Sequence, residues 1–367
     1  DVAINRGDGT FAPTVSYATG TGGLGFDGDL TVGDFNGDGI DDLLIGANDG
    51  VNAQGIAYIV FGSTGVPDPV FSVSALDGAN GFAIRGELQN QRVGYSVSNA
   101  GDINGDGVDD VLLGSYQGYS FIVFGQSGAR PSEIDVGSLN GLNGFVIDGS
   151  FESGFAGFEV AGAGDLNGDG YADFAIAAQL ADRLGRPDAG ATYVIFGRSD
   201  GFDAHIDLGS FDFSDGVMVS GEGPGDRSGR SVDFVGDFNG DGFGDLLITA
   251  INADPNGLPN AGAAYVLFGG SDFFSSDIDL ASLSPTEGVK INGQGAYDFF
   301  GRSTAGIGDI NGDGFADILV SDVNETDPNF YYAGRAYVIF GASTIANETI
   351  ELSSLNGQNG FVLEGLE

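Results

Sequence analysis

The stretch GDFNGDGIDDLLIG occupies residues 33–46, and versions of it return four times: GDINGDGVDDVLLG at 101–114, GDLNGDGYADFAIA at 164–177, GDFNGDGFGDLLIT at 236–249 and GDINGDGFADILVS at 308–321. The first aspartates fall at 34, 102, 165, 237 and 309, so the spacings are 68, 63, 72 and 72 residues. Self-similarity at one period marks a repeat architecture, in which each unit buries its apolar surface against its neighbours. No other feature constrains the fold as strongly.

Each period carries more than the acidic loop. An apolar run follows it, then a variable loop, then a run such as GIAYIVFG (55–62), GYSFIVFG (118–125), GATYVIFG (190–197), GAAYVLFG (262–269) or GRAYVIFG (334–341). A linker leads to GFAIRG (81–86), GFVIDG (144–149), GVMVSG (216–221), GVKING (288–293) or GFVLEG (360–365), and a further run returns to the next acidic loop. These are short β-branched and aromatic runs bounded by Gly, Asn and Asp, with no useful helical period. They predict four antiparallel strands per repeat, the acidic loop joining the first to the second. Four strands per unit, repeated, is the pattern of a β-propeller blade. Separate small β-domains fit less well, because the period is tight and linkers are lacking.

The expected fold is therefore all-β: one propeller over residues 1–367 with five complete blades at 21–86, 87–149, 150–221, 222–293 and 294–365. Residues 1–20 read as the last two strands of a preceding, partial blade. Ring closure stays open: five blades with an appendage, or part of a six- or seven-bladed ring.

The acidic loop has the chemistry of a metal site. Numbered from its first Asp, position 1 is Asp34, Asp102, Asp165, Asp237 and Asp309. Position 3 is Asn36, Asn104, Asn167, Asn239 and Asn311, and position 5 is Asp38, Asp106, Asp169, Asp241 and Asp313. Position 9 is Asp42, Asp110, Asp173, Asp245 and Asp317. Oxygen-bearing residues at alternate positions suit a chain curling round a hard cation, and Gly at positions 4 and 6 supplies the positive φ such a curl needs. Position 7 (Ile40, Val108, Tyr171, Phe243 and Phe315) has no side-chain ligand, so its backbone carbonyl is the natural donor, as in helical calcium loops. Those loops close with Glu at position 12, where this chain has Ile or a similar apolar residue, which rejects that motif; Asp at position 9 closes the site instead. An all-oxygen set favours Ca²⁺ over Mg²⁺ or softer metals and predicts five sites. Position 2 is Phe, Ile or Leu in every copy, as if anchored in the core.

The Asp-x-Asn-Gly-Asp-Gly-x-x-Asp loop followed by YVIFG-type strands resembles the FG-GAP repeats of the integrin α-subunit propeller and its bacterial relatives. GDGTFAPTVSYATG, near the start, resembles the segment preceding such loops in bacterial surface repeats. The likeness covers essentially the whole chain. It implies a propeller with Ca²⁺ in its hairpins and a role in adhesion. The chain departs from the family in having fewer than seven blades and only a loose GAP, as in IGAND at 45–49.

Composition narrows the function further. The 53 acidic against 12 basic residues give a net charge of −41, with Lys290 the single lysine. Such a field repels nucleic acid and invites cations. There is no Cys, which excludes disulfides, thiolate metal sites and a Cys nucleophile. No apolar run approaches the ~20 residues needed to span a bilayer as a helix. A start at Asp1 without a visible leader reads as a processed or cut chain. His205, the single His, falls in a linker and reads as a surface residue, and no carboxylate pair stands outside the repeat plan. No catalytic residue is expected. Arg6-Gly7-Asp8 is an integrin-binding tripeptide set in ordinary turn chemistry.

The loops joining second to third strands vary most, and they share a face with those joining the fourth strand to the next blade. This face, opposite the acidic loops, collects Arg92, Arg183, Arg186, Arg227, Arg230 and Arg302, with Phe330, Tyr331 and Tyr332. Variable loops on a rigid scaffold are where binding usually lives, so a protein or glycan partner is expected there. The expected function is a calcium-binding adhesion or ligand-binding module, extracellular or at the cell surface. A lectin-like propeller and the non-catalytic propeller of a larger secreted hydrolase or lyase remain the alternatives.

Overall fold

The computed structural model describes residues 16–18, 29–48, 53–64, 70–150, 155–212, 216–271, 277–323, 334–343 and 349–365. Arg6-Gly7-Asp8, Phe330, Tyr331 and Tyr332 lie outside them. Among the described residues there are strands and short 3₁₀ turns but no α-helix. The strands form five sheets of one plan, the blades of a propeller. In the first, Leu30–Gly33, Asp42–Ala47, Ile56–Val60 and Gly81–Arg85 lie side by side in chain order. The second repeats this with Val97–Gly101, Asp110–Gly114, Tyr119–Val123 and Gly144–Asp148. Glu159–Gly164, Asp173–Ala178, Ala191–Ile195 and Gly216–Ser220 build the third. Ser228–Gly236, Asp245–Ala250, Ala263–Leu267 and Gly288–Asn292 build the fourth. Thr304–Gly308, Asp317–Asp322, Arg335–Ile339 and Gly360–Glu364 build the fifth.

The second strand of a blade has neighbours on both faces, which is why runs such as DFAIAA and DLLITA read as continuous apolar sequence rather than as alternation. The core is a series of seams between successive blades. Leu44, Ile59 and Phe82 meet Phe121 and Val123 in one seam, and Phe145 meets Phe174 and Tyr193 in the next. The first strands of blades two to five pack on one another in succession. Among the described residues no such packing joins Thr304–Gly308 back to Leu30–Gly33. Leu30 and Val32, on the first strand of blade one, are 49% and 53% exposed.

The sequence reading gives four strands per blade, and the structure adds a fifth. In the linker between third and fourth strands, a two- or three-residue strand crosses to the preceding blade and pairs in parallel with its outer edge. Glu133–Asp135 pairs with blade one, His205–Asp207 with blade two, Ile278–Asp279 with blade three and Thr349–Glu351 with blade four. Each runs into a 3₁₀ turn, so the straps read EIDVGSL, HIDLGSF, DIDLASL and TIELSSL. Ile134, Ile206, Ile278 and Ile350 stand opposite Ile84, Ile147, Val219 and Ile291 of the edge they cover. Blade one's own strap, Val70–Ser72, pairs with Ser16–Ala18, which occupies the place of a preceding outer strand. Of residues 1–20, only Ser16–Ala18 fall among the described residues.

Candidate metal centre

All five acidic loops leave the first strand and enter the second, at one end of the blades. Positions 4 and 6 hold positive φ in every copy, from 70° and 81° at Gly37 and Gly39 to 79° and 93° at Gly312 and Gly314. That conformation turns consecutive amides inward. In the second loop, Gly105 and Asp106 N–H donate to Asp102 Oδ1 at 2.7 and 2.9 Å, and Gly107 N–H donates to Oδ2 at 2.7 Å. Asn104 Oδ1 accepts a second bond from Asp106 N–H, and Asp106 Oδ1 accepts from Val108 N–H at 3.0 Å.

Position 9 behaves differently. Asp42, Asp110, Asp173, Asp245 and Asp317 are fully buried. Each accepts one bond from the amide of position 2 and one from the glycine ending the third strand. For Asp173 the donors are Leu166 and Gly197, at 2.8 and 3.0 Å. Burial pushes Asp110 up to about 8 and Asp42, Asp173 and Asp245 up to about 7; the charges at positions 5 and 1 of the same loop push the same way.

The glycine of each FG pair is a functional residue that sequence reasoning left without a role. A Cβ on Gly197 would lie 2.3 Å from the carbonyl oxygen of Ala172, and one on Gly269 2.2 Å from that of Gly244. Only glycine lets the third strand come close enough to donate to the buried acid. The signal was its recurrence in all five copies.

Adjacent loops are also stitched together. The carbonyls of Phe35, Ile103, Leu166 and Phe238, at position 2, accept an amide from Gln126, Arg198, Gly270 and Ala342 of the next blade. Tyr171, Phe243 and Phe315, at position 7, lie against Gly105, Gly168 and Gly240 of the preceding loop. The expected burial of position 2 holds for these four residues but not for Ile310, which is 51% exposed.

Among the described residues no three acidic side chains converge closely enough, as they stand, to enclose a metal ion. The carboxylates point at loop amides instead. The donor set nevertheless fits a hard cation: every group is oxygen, and Asn36 Oδ1 is buried without a hydrogen-bond partner.

The opposite end presents the other loops, bonded to one another through amides such as Gly149 to Gly118 and Gly221 to Gly190. Tyr116, Tyr95 and Phe158 form a chain of rings with centroids 5.8 and 4.8 Å apart, and Phe155 lies 5.6 Å from Tyr116. Arg92 sits 5.3 Å over Tyr116 and Arg230 5.4 Å over Phe158. Tyr116 and Phe155 are 42% and 41% exposed. Arg92, Phe155 and Arg227 hold positive φ, a conformation unfavourable for such side chains. Arg186, expected among the free donors, instead grips Asp279 of the blade-four strap at 2.7 and 2.5 Å. His205 lies 3.6 Å from Asp148 on an exposed strap, a surface position as expected.

Blades of this plan, each with a glycine-bent acidic loop in its first hairpin, define an integrin-type propeller array. FG-GAP repeats are matched at residues 26–60, 93–129, 156–195, 228–267 and 300–339, just over half of the chain. The chain belongs to the FG-GAP repeat family. It is 33% identical over 180 residues to integrin alpha pat-2 of Caenorhabditis elegans, covering 46% of this chain and 14% of that protein. To integrin alpha-V of Gallus gallus it is 27% identical over 238 residues, 61% of this chain and 20% of that one. Phosphatidylinositol-glycan-specific phospholipase D of Bos taurus is 33% identical over 156 residues, 42% of this chain and 17% of the relative. The chain thus spans a fifth or less of these relatives. No helix among its described residues is long and apolar enough to cross a membrane.

Proposed function

We propose that the chain is a Ca²⁺-stabilised propeller that acts as an adhesion or ligand-binding module, extracellular or at the cell surface, with no catalytic chemistry of its own. The observation that carries this reading is the loop, present five times with one backbone conformation and one all-oxygen donor set. In each copy the Asp at positions 1, 5 and 9, the Asn at position 3 and the carbonyl at position 7 would hold the ion. Bound Ca²⁺ would neutralise crowded carboxylates and lock the hairpin. Five ions would leave a net charge of about −31, so the loaded protein still disfavours polyanions. Thermal unfolding in EGTA and in millimolar Ca²⁺ tests it. At tenfold excess over Kd each site adds about 1.4 kcal/mol. Coincident melts after verified metal removal would overturn the calcium reading.

The partner belongs on the opposite face, at the chain of rings flanked by Arg92 and Arg230. In so acidic a protein, two guanidinium groups beside exposed Tyr116 and Phe155 are the strongest donors and platforms on offer. A glycan array probed with the parent, Tyr116→Ala and Asp41→Asn separates the faces. Binding lost only in Asp41→Asn moves the site to the loop face. The phospholipase relatives favour a second reading, the accessory propeller of a larger hydrolase, which the domains encoded beside these repeats would decide.

A further inference from the structure

A cleft of about 680 Å³ opens beside the acidic loop of blade two, within the size range of small-molecule sites. Its walls include Asn104 and Asp106 of that loop, Arg130 in the linker after the third strand of blade two, and Arg198 and Phe202 in the matching linker of blade three. Arg130 breaks the plan of the repeat. It stands five residues after Gly125, as Phe202 stands five after Gly197. Phe202 stacks on Phe145, the second residue of the outer strand of blade two, with ring centroids 4.6 Å apart. Arg130 lies over the same residue of blade one, its guanidinium 4.8 Å from the ring of Phe82. A charge thus occupies a place that a phenyl ring fills one blade later.

This guanidinium is buried and short of partners. Arg130 is 8% exposed, its Nη2 donates to Phe124 O at 2.9 Å, and its Nε is buried without a hydrogen-bond partner. Among the described residues no carboxylate forms an ion pair with it. A buried, unpaired cation is costly, and packing alone would be served by the ring that blade three uses. On the blade-three wall a second guanidinium, Arg198, lies 4.5 Å over Phe202 and is 29% exposed. Arginine matches the planar fork of a carboxylate better than any other side chain does. Asp106, Glu133 and Asp135 on the same walls disfavour a second negative charge but accept bonds from hydroxyl groups. We propose that this cleft binds a sugar acid, a hydroxyl-rich molecule with one carboxylate, which is drawn to Arg130 and Arg198 while its hydroxyls meet the acids and amides of the walls. The site is separate from the ring face and does not depend on it.

Isothermal titration in millimolar Ca²⁺ with glucuronate, glucose and inorganic phosphate tests the assignment. Glucuronate should bind at least tenfold more tightly than either of the others. Arg198→Gln, at a part-exposed position, should weaken glucuronate at least tenfold while leaving the melting curve in place. Arg130→Lys keeps the charge but loses the fork, and should weaken it as well. Tyr116→Ala, on the opposite face, should change nothing. Absence of glucuronate binding, equal binding of glucose or phosphate, full affinity in Arg198→Gln, or a loss confined to Tyr116→Ala would each overturn the proposal.

Discussion

At the residue scale the loop holds two kinds of aspartate. Asp169, at position 5, is a solvent-facing acid whose partners are its own loop amides; Asp173, at position 9, is a buried clamp between two separate stretches of backbone. Asp173→Ala leaves two buried amides unpaired, at about 1–3 kcal/mol each. In EGTA it should therefore lower the urea midpoint much further than Asp169→Ala does; equal losses would show that position 9 has no structural role apart from metal. Glu159 offers a pH test away from the loops. Burial pushes it up to about 8, Asp29 and Asp233 push the same way, and Arg230 opposes. The folded state therefore holds its proton more tightly than the unfolded chain. The cost of ionising it grows as pH rises from its ordinary value of 4.5 to about 8. Glu159→Gln should gain stability relative to the parent across that window and match it at pH 4; a constant difference would dismiss the shift. The oxygen ladder at positions 1, 3 and 5 was legible in sequence because its spacing is local. The clamp at position 9 and the FG glycine were not, because their roles depend on backbone brought in from a strand some twenty residues away.

At the level of elements, the straps tie the blades. Each inserts an apolar residue of its 3₁₀ turn into the seam: Leu208, Leu280 and Leu352 are 3% exposed. Leu280→Ala should cost about 2–5 kcal/mol, whereas Arg186→Ala, which breaks a part-exposed ion pair to the same strap, should cost about 1 kcal/mol or less. Denaturant titration of the two variants checks the ranking; an Arg186 effect as large as that of Leu280 would make the ion pair the main tie. Gly269→Ala should cost roughly 1–3 kcal/mol through overpacking against Gly244. The four main strands could be read because their apolar runs are long enough to stand out. The straps could not: three residues show no periodicity, and their partners lie in the preceding repeat, as with Glu133 opposite Ala83.

For the whole molecule, the period announced a propeller, but no stretch of sequence states whether the ends meet. Closure depends on a small angle accumulated at every seam, and that angle is a property of packed side chains such as Phe145 on Phe202, 4.6 Å apart and stacked. The same seams bear on metal binding. Asp169→Ala should remove one Ca²⁺ per chain and weaken only the adjoining sites, because loops meet only their immediate neighbours. Metal analysis of the purified variant decides it, and loss of all five ions would show a single cooperative unit.

The strap has a consequence for inheritance. Because blades one to four each borrow their outermost strand from the repeat that follows, the length of gene that can be copied is out of phase with the body that folds. A duplication or deletion of one whole period, cut at any point, still hands every strap a predecessor of the same shape. An array built this way can change length in a single genetic event without a new interface having to evolve.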